Sequence, residues 1–275
     1  MAWECGIILS HGYNFIRRWR QRHCQKGFKK MKAVIPAAGH GTRFLPVTRA
    51  IPKEMLPIGA KPALQLIVEE ALSAGADEVV LVVSPGKEII RRYFEGDPEL
   101  SSRVKWACQV EQKGLGHAVL QAAPLLAGEK EPVLVLLGDA LVSGETPSAK
   151  MFEISRAHGG ASVVGLERVP RERISRYGVV KMEGDGRIAD LVEKPRPEDA
   201  PSDLAIAGRY LLDPAVFDLL ATQTPGHGGE IQLTDSIRRL LADHPVYGYV
   251  YPGKRQDIGN PEGYLRALKA FAGEF

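Results

Sequence analysis

From Met31 onward the chain alternates short apolar runs with segments of helical period, and this alternation restricts it to a small set of folds. Ala33-Val34-Ile35 is such a run and ends in a Pro/Gly loop; Val79 to Val83 and Val133 to Leu137 repeat it, and Arg103 to Gln109 is a further strand-like segment. Apolar runs of this length, without polar alternation, read as strands buried on both faces. Between them, residues 62–74 set Leu64, Ile67, Val68, Ala71 and Leu72 at helical spacing, with Pro62 near the start and Gly75 after the end. Residues 87–94 and His117 to Leu126 also read as helices, the latter disturbed by Pro124. Strand, helix, strand, helix predicts parallel strands joined by crossovers, with ligands bound beyond the strands' carboxyl ends. The residues after Ile35, around Gln109 and after Leu137 are therefore expected to face one cleft. From residue 161 the pattern changes: strand-like segments at 161–168, 177–182, 187–193 and 204–212 follow closely and predict an antiparallel insertion. Helices are expected again at 214–221, 230–242 and 261–273.

The first thirty residues do not share this pattern. They carry seven Lys or Arg against one acid, Glu4, whereas the other 29 basic and 32 acidic residues leave the remainder at −3. The overall charge of +3 thus belongs to the extension, and the body has no basic excess for a nucleic-acid footprint. Residues 1–30 are read as a disordered or non-native extension, with Met31 as the expected native start and 31–275 as one domain. No apolar run is long enough to span a membrane. Cys5, Cys24 and Cys108 are odd in number and irregular in spacing, which argues against a disulfide framework or a zinc site and predicts a cytoplasmic setting.

The first strand runs into Pro36-Ala37-Ala38-Gly39-His40-Gly41-Thr42-Arg43. Small residues let the backbone approach a ligand, free N–H groups suit phosphate oxygens, and Arg43 suits bidentate phosphate binding. A dinucleotide fingerprint needs Gly or Ala where Phe44 stands, and the Gly-Lys-Ser/Thr of a Walker loop is missing. Three prolines hold the next segment extended, and Lys53, ten residues past Arg43, is within reach of the same anion. Asp139, after an apolar strand and a glycine, is placed either to hold Mg²⁺ at a strand's carboxyl end or to cap a helix or turn.

Gly39-x-Gly41-Thr42-Arg43 followed by Lys53-Glu54-Met55-Leu56-Pro57 closely resembles the N-terminal motif of the sugar-1-phosphate nucleotidyltransferases. The likeness continues through Lys113 to Val119, Tyr177 to Val180, Val192 to Pro195, Glu230 to Asp235 and Asp257-x-Gly259-Asn260, and is strongest to the bacterial UTP–glucose-1-phosphate uridylyltransferases. It implies a Rossmann-like mixed, mainly parallel sheet flanked by helices (the nucleotide-diphospho-sugar transferase fold), with UTP and glucose 1-phosphate as substrates, Mg²⁺ as cofactor and a dimeric or tetrameric assembly. By the same resemblance Gln109 reads the base, with Ala38, Gly39 and Gly114 completing its pocket and Gly41 and Thr42 in the phosphate loop. Asp257 is the second metal carboxylate. Tyr177, Gly178, Glu193 and Glu230 lie at the sugar, Lys194 holds the sugar phosphate, and Arg43 and Lys53 stabilise the triphosphate and departing pyrophosphate. None of His40, His117 and His227 is expected to act as a base, because the sugar phosphate is already anionic. Two departures keep dTTP open as an alternative nucleotide: Arg49 stands where those uridylyltransferases carry lysine, and Gly138-Asp139 is closer to the thymidylyltransferase branch. A nucleotide-sugar sensor without turnover is the alternative of another class.

Overall fold

In the computed structural model, residues 31–273 are described; the reading of residues 1–30 as an extension lies outside them. The strands are β1 (Met31–Pro36), β2 (Pro57–Ile58), β3 (Lys61–Pro62), β4 (Ala76–Val83), β5 (Val104–Cys108), β6 (Val133–Leu136), β7 (Ala140–Ser143), β8 (Ser162–Arg168), β9 (Gly178–Met182), β10 (Ile188–Glu193), β11 (Leu204–Leu212), β12 (Val246–Val250) and β13 (Lys254–Asp257). The α-helices are α1 (Ala63–Ser73), α2 (Glu88–Glu95), α3 (Pro98–Ser101), α4 (Leu115–Leu120), α5 (Ser148–Ala157), α6 (Ala215–Ala221), α7 (Leu233–Leu240) and α8 (Pro261–Ala270).

The expected mixed sheet is present, in the order β10-β9-β11-β6-β1-β4-β5, with β8 and β12 joined to it through β11. Strands β1, β4, β5 and β6 are parallel, with Val34 opposite both Val80 and Val135. The apolar runs are continuous because both faces are covered. Ile35, Leu81, Leu134 and Leu136 share one core cluster with Leu64, Ile67 and Val68 of α1. Val34, Val80 and Val135 join the other, with Val119 of α4, Val216 of α6 and Ile237 of α7. Each fully buried aliphatic side chain stabilises the fold by about 1.5–3 kcal/mol, so the sheet's register is strongly specified.

The antiparallel segment foreseen after residue 161 is built onto the edge of this same sheet. Strand β11, buried at all nine positions, pairs antiparallel with β6, β8 and β9. One residue in that apolar strand is charged: Arg209 makes paired hydrogen bonds to Glu70 of α1 at 2.9 and 2.7 Å and a third to the Ala140 carbonyl at 2.7 Å. Besides the short β2, β3 and α3, four further elements were not foreseen. Helix α5 has a mixed surface, β12 lies in a turn-rich stretch, and β7 and β13 form a separate two-stranded ladder whose second strand is wholly polar. Residues 117–126 do not make one helix: α4 ends at Leu120 and a 3-10 turn over Ala123–Leu126 follows, with Pro124 in its first turn.

Candidate functional site

The parallel strands deliver their carboxyl ends to one edge, where a cavity of about 280 Å³ opens among Pro36, Ala38, Gly39, Lys53, Glu54, Gln109, Gly114 and Asp139. The cleft was foreseen from strand order, and the residues after β1, β5 and β6 do line it. Its base is tight backbone packing. The Ala37 N–H donates to Val82 at 2.7 Å, and the Gly138 N–H to Pro36 at 3.2 Å. A Cβ on Gly138 would lie 2.5 Å from the Pro36 carbonyl oxygen, so only glycine lets β6 leave the sheet this close to β1.

Beyond Ala38 the chain turns at Gly41, with φ +67°, into 3-10 turns at Thr42–Phe44, Val47–Arg49 and Lys53–Met55. Phe44 is buried edge-on against Tyr264 of α8 and anchors the loop, while Thr42 and Arg43 are exposed. The Arg43 guanidinium has no hydrogen-bond or ion-pair partner among the described residues. A Cβ on Gly41 would meet the Lys53 stem at 3.6 Å, which puts the loop against the lysine ten residues or so downstream.

Lys53, Asp139 and Asp257 converge. The Lys53 ammonium donates to Asp139 Oδ2 at 2.5 Å. A Cβ placed on Gly259 would lie 2.9 Å from an Asp257 carboxylate oxygen, 3.2 Å from one of Asp139 and 3.8 Å from the Lys53 nitrogen. The β7–β13 ladder makes this possible: Asp257 pairs with Ala140, and the Ile258 N–H donates to the Asp139 carbonyl at 2.9 Å. Burial by itself would lower the Lys53 pKa, but the Asp139 carboxylate, with Glu54 and Asp257, outweighs it and holds the ammonium above its usual value. Burial would raise the Asp139 carboxyl, but Lys53 outweighs that in turn and holds it low. Both partners are held toward their charged forms, and the Asp139 carboxylate is the more open to the cleft.

A second lysine–carboxylate pair lies behind the first. Lys87 donates to Glu54 at 2.9 Å and to the Ala37 carbonyl at 2.6 Å. It thereby ties the foot of the phosphate loop to the turn that carries Lys53.

Gln109 is buried at the end of β5, with its amide nitrogen 3.2 Å from the Gly114 carbonyl and 3.0 Å from His117 Nδ1. Gly114, with φ +100°, abuts the Glu230–Ile231 segment; a Cβ there would lie 2.7 Å from that of Glu230. Glu230 is therefore placed beside Gly114, at the rim of the Gln109 pocket. The Ala38 carbonyl is taken by Gln112 at 3.2 Å.

The antiparallel half supplies a second cluster. Glu193 ends β10 opposite Gly178, and Thr234 of α7 donates to its carboxylate at 2.7 Å. A Cβ on Gly178 would crowd both, at 3.1 Å from Glu193 and 2.9 Å from Thr234. Lys194 adopts φ +46°, a left-handed backbone unusual outside glycine, with its ammonium 3.3 Å from Glu193. The Tyr177 ring is buried, with the Arg255 guanidinium 4.5 Å from its centre and Arg173 3.3 Å from its hydroxyl.

Sequence reasoning missed Thr234, Arg255, Glu54, Lys87 and Arg209 as parts of this construction. Thr234 sat inside a quoted motif but carried no separate signal. Arg255 shares a strand face with Asp257 by the two-residue period, which a polar strand over 254–257 would have suggested.

Among the described residues no group of three His, Cys, Asp or Glu is placed to hold a metal ion. Asp139 and Asp257 alone border one point, with the Lys53 ammonium already bound there. A two-carboxylate set of this kind fits Mg²⁺, which takes its remaining oxygens from water and substrate phosphates.

A family model described as nucleotidyl transferase matches residues 32–274. A UTP–glucose-1-phosphate uridylyltransferase of Staphylococcus haemolyticus is 42% identical over 266 residues, covering 88% of this chain and 92% of the relative. Among solved structures, a UDP-glucose pyrophosphorylase complexed with UDP-glucose matches with a TM-score of 0.80 and 39% identity, over 90% of this chain and 100% of that one. A UTP-bound UGPase from Acinetobacter baumannii matches with a TM-score of 0.80 and 32% identity, over 90% and 95% of the two chains.

Proposed function

The chain belongs to the nucleotidyl transferase family, and from that premise we propose that it is the enzyme that transfers UMP from UTP to glucose 1-phosphate, giving UDP-glucose and pyrophosphate. Residues 31–275 form its domain. The observation that carries the reading is the convergence of Lys53, Asp139 and Asp257 around Gly259, at the mouth of the cavity that Gln109 and Gly114 close.

The roles are those the resemblance implies, and the positions above support them. Glucose 1-phosphate, with a second phosphate pKa near ~6, is largely a dianion at neutral pH and needs no base. Its oxygen attacks the α-phosphorus of UTP in line, the bond to the β-phosphate oxygen breaks, and pyrophosphate leaves. The chain supplies alignment and charge. Arg43, without a partner among the described residues, and Lys53 neutralise the triphosphate and the departing pyrophosphate. Lys194 holds the attacking phosphate, and its left-handed backbone aims the ammonium beside Glu193. Glu193, Gly178 and Tyr177 form the sugar wall, with Thr234 fixing the Glu193 carboxylate and Glu230 at the rim nearest Gly114. Gln109 and Gly114 hold the uracil, with Ala38 and Gly39 against it and Gly41 and Thr42 in the phosphate loop. Asp139 and Asp257 would hold Mg²⁺, which when bound neutralises phosphate charge. The working form is a homo-oligomer in the cytoplasm.

Pyrophosphate release by the purified chain with Mg²⁺ and glucose 1-phosphate, comparing UTP with dTTP, tests this reading. Release with UTP is expected. Preference for dTTP would replace the nucleotide and keep the mechanism, and nucleotide binding without release would favour the sensor.

A further inference from the structure

His117 lies outside the chemistry, yet its ring is held between two amides. Gln109 Nε2 is 3.0 Å from its Nδ1, and Gln121 Nε2, one helical turn on, is 3.2 Å from its Nε2. A neutral imidazole carries one ring proton, so it cannot accept at both nitrogens. One of the two contacts must therefore be given up.

Burial decides which. Gln109 is only 2% exposed, and its amide nitrogen also faces the Gly114 carbonyl at 3.2 Å, a partner that only an N–H can satisfy. Turning that amide over would set two carbonyl oxygens against each other in a dry site, with no water to satisfy either. The Gln121 amide nitrogen also faces a carbonyl, that of His117 at 3.0 Å, but Gln121 is half-exposed, and water can replace what it loses when it turns. The imidazole proton therefore sits on Nε2, toward Gln121, and Nδ1 accepts from Gln109. Both Gln109 N–H groups are then used inside the protein. Its carbonyl oxygen has no partner among the described residues, and Gln109 lines the cavity.

We propose that His117 is a positioning residue for base selection: by accepting from Gln109 it fixes the amide with its oxygen toward the cleft. The pocket then accepts a base whose ring nitrogen donates, as in uracil and thymine. It refuses cytosine, whose ring nitrogen accepts and would face the oxygen lone pairs. This rests on the nucleotidyl-transfer reading above and adds to it a determinant outside the phosphate and metal sites.

The test is the ratio of kcat/KM for UTP over CTP, measured by pyrophosphate release with glucose 1-phosphate and Mg²⁺. His117→Leu is expected to lower the ratio about tenfold, chiefly through a higher KM for UTP, because the amide loses one of its two anchors. His117→Asn, whose side-chain oxygen can accept in place of Nδ1, is expected to restore most of the ratio. Gln121→Leu removes the ring contact already forfeited, together with a half-exposed bond to the His117 carbonyl, and is expected to keep the ratio. An unchanged ratio in a folded His117→Leu protein overturns the proposal. If that variant does not fold, collapse of the ratio in Gln121→Leu, or failure of His117→Asn to keep it, overturns it. A wild type that releases pyrophosphate with neither nucleotide overturns the functional reading itself, and this is seen before any variant is compared.

Discussion

Residues 53 and 54 are neighbours, and each enters a lysine–carboxylate pair, but the two pairs end in opposite electrostatic states. At the cleft floor, Lys53 is 12% exposed and Asp139 35%, and each partner is pushed toward its charged form. Behind the floor, Lys87 is 9% exposed and Glu54 1%; burial raises the Glu54 carboxyl and lowers the Lys87 ammonium, and their mutual attraction only partly offsets it. The same two groups at similar distances thus make a charged tool in one place and a strained brace in the other. The difference lies in solvent access and in the number of opposite charges nearby. Lys53 answers to Asp139, Glu54 and Asp257, whereas Lys87 has Glu54 and, more weakly, Asp139 in its favour, with Lys53 opposing them.

The largest effect expected from this contrast is on stability behind the floor. Lys87→Met leaves a buried carboxylate without its cation and should lower unfolding free energy by about 3–5 kcal/mol, whereas Lys87→Met with Glu54→Leu should recover most of it. Chemical denaturation of the three proteins measures both. A small loss in the single variant would erase the distinction between brace and tool.

On the cleft floor the effect should fall on turnover. Asp139→Asn is expected to slow pyrophosphate release by about 10²–10³-fold while melting within a few degrees of wild type. Arg43→Ala should cost at least about a hundredfold by removing a charge from the transition state, with little loss of stability, since the side chain has no partner among the described residues. A smaller change, of order tenfold in KM for glucose 1-phosphate, is expected for Thr234→Val, which frees the Glu193 carboxylate from its hydrogen bond.

The smallest effect is the sharpest. Asp139 titrates below its ordinary 3.8, so its contribution to stability is complete above that pH and is lost as pH falls through the lower folded value. Glu54 titrates above its ordinary 4.5, so its contribution is greatest below that pH and declines as pH rises through the raised value. Urea unfolding between pH 3 and 7 should therefore show slopes of opposite sign removed by Asp139→Asn and by Glu54→Gln. Slopes of the same sign would show that one pair has been misassigned.

Most of the sheet was legible because its strands are continuous apolar runs. Val79 to Val83 and Val133 to Leu137 can be buried in few other ways, and Leu64, Ile67, Val68 and Ala71 can cover them only as a helix. Strand β13 was not legible, because Lys254-Arg255-Gln256-Asp257 carries no apolar signal and becomes a strand only by pairing with β7. That ladder brings Asp257 to Asp139, so the resemblance could name the carboxylates while the pattern of residues could not bring them together. Arg209 was hidden for the converse reason: its strand reads as wholly core, and its partner Glu70 lies on a distant helix.

The sequence by itself determined the main parallel strands and their covering helices, the cleft at the carboxyl ends and the glycine-rich loop after β1, because apolar periodicity and glycine placement act over a few neighbouring residues. Only the tertiary structure decided which lysine pairs with Asp139 at the cleft and which is buried against Glu54 behind it, and which partners the Gln109 amide nitrogen meets. Solvent access, the number of facing charges and the direction of a hydrogen bond are set by groups that meet across the fold.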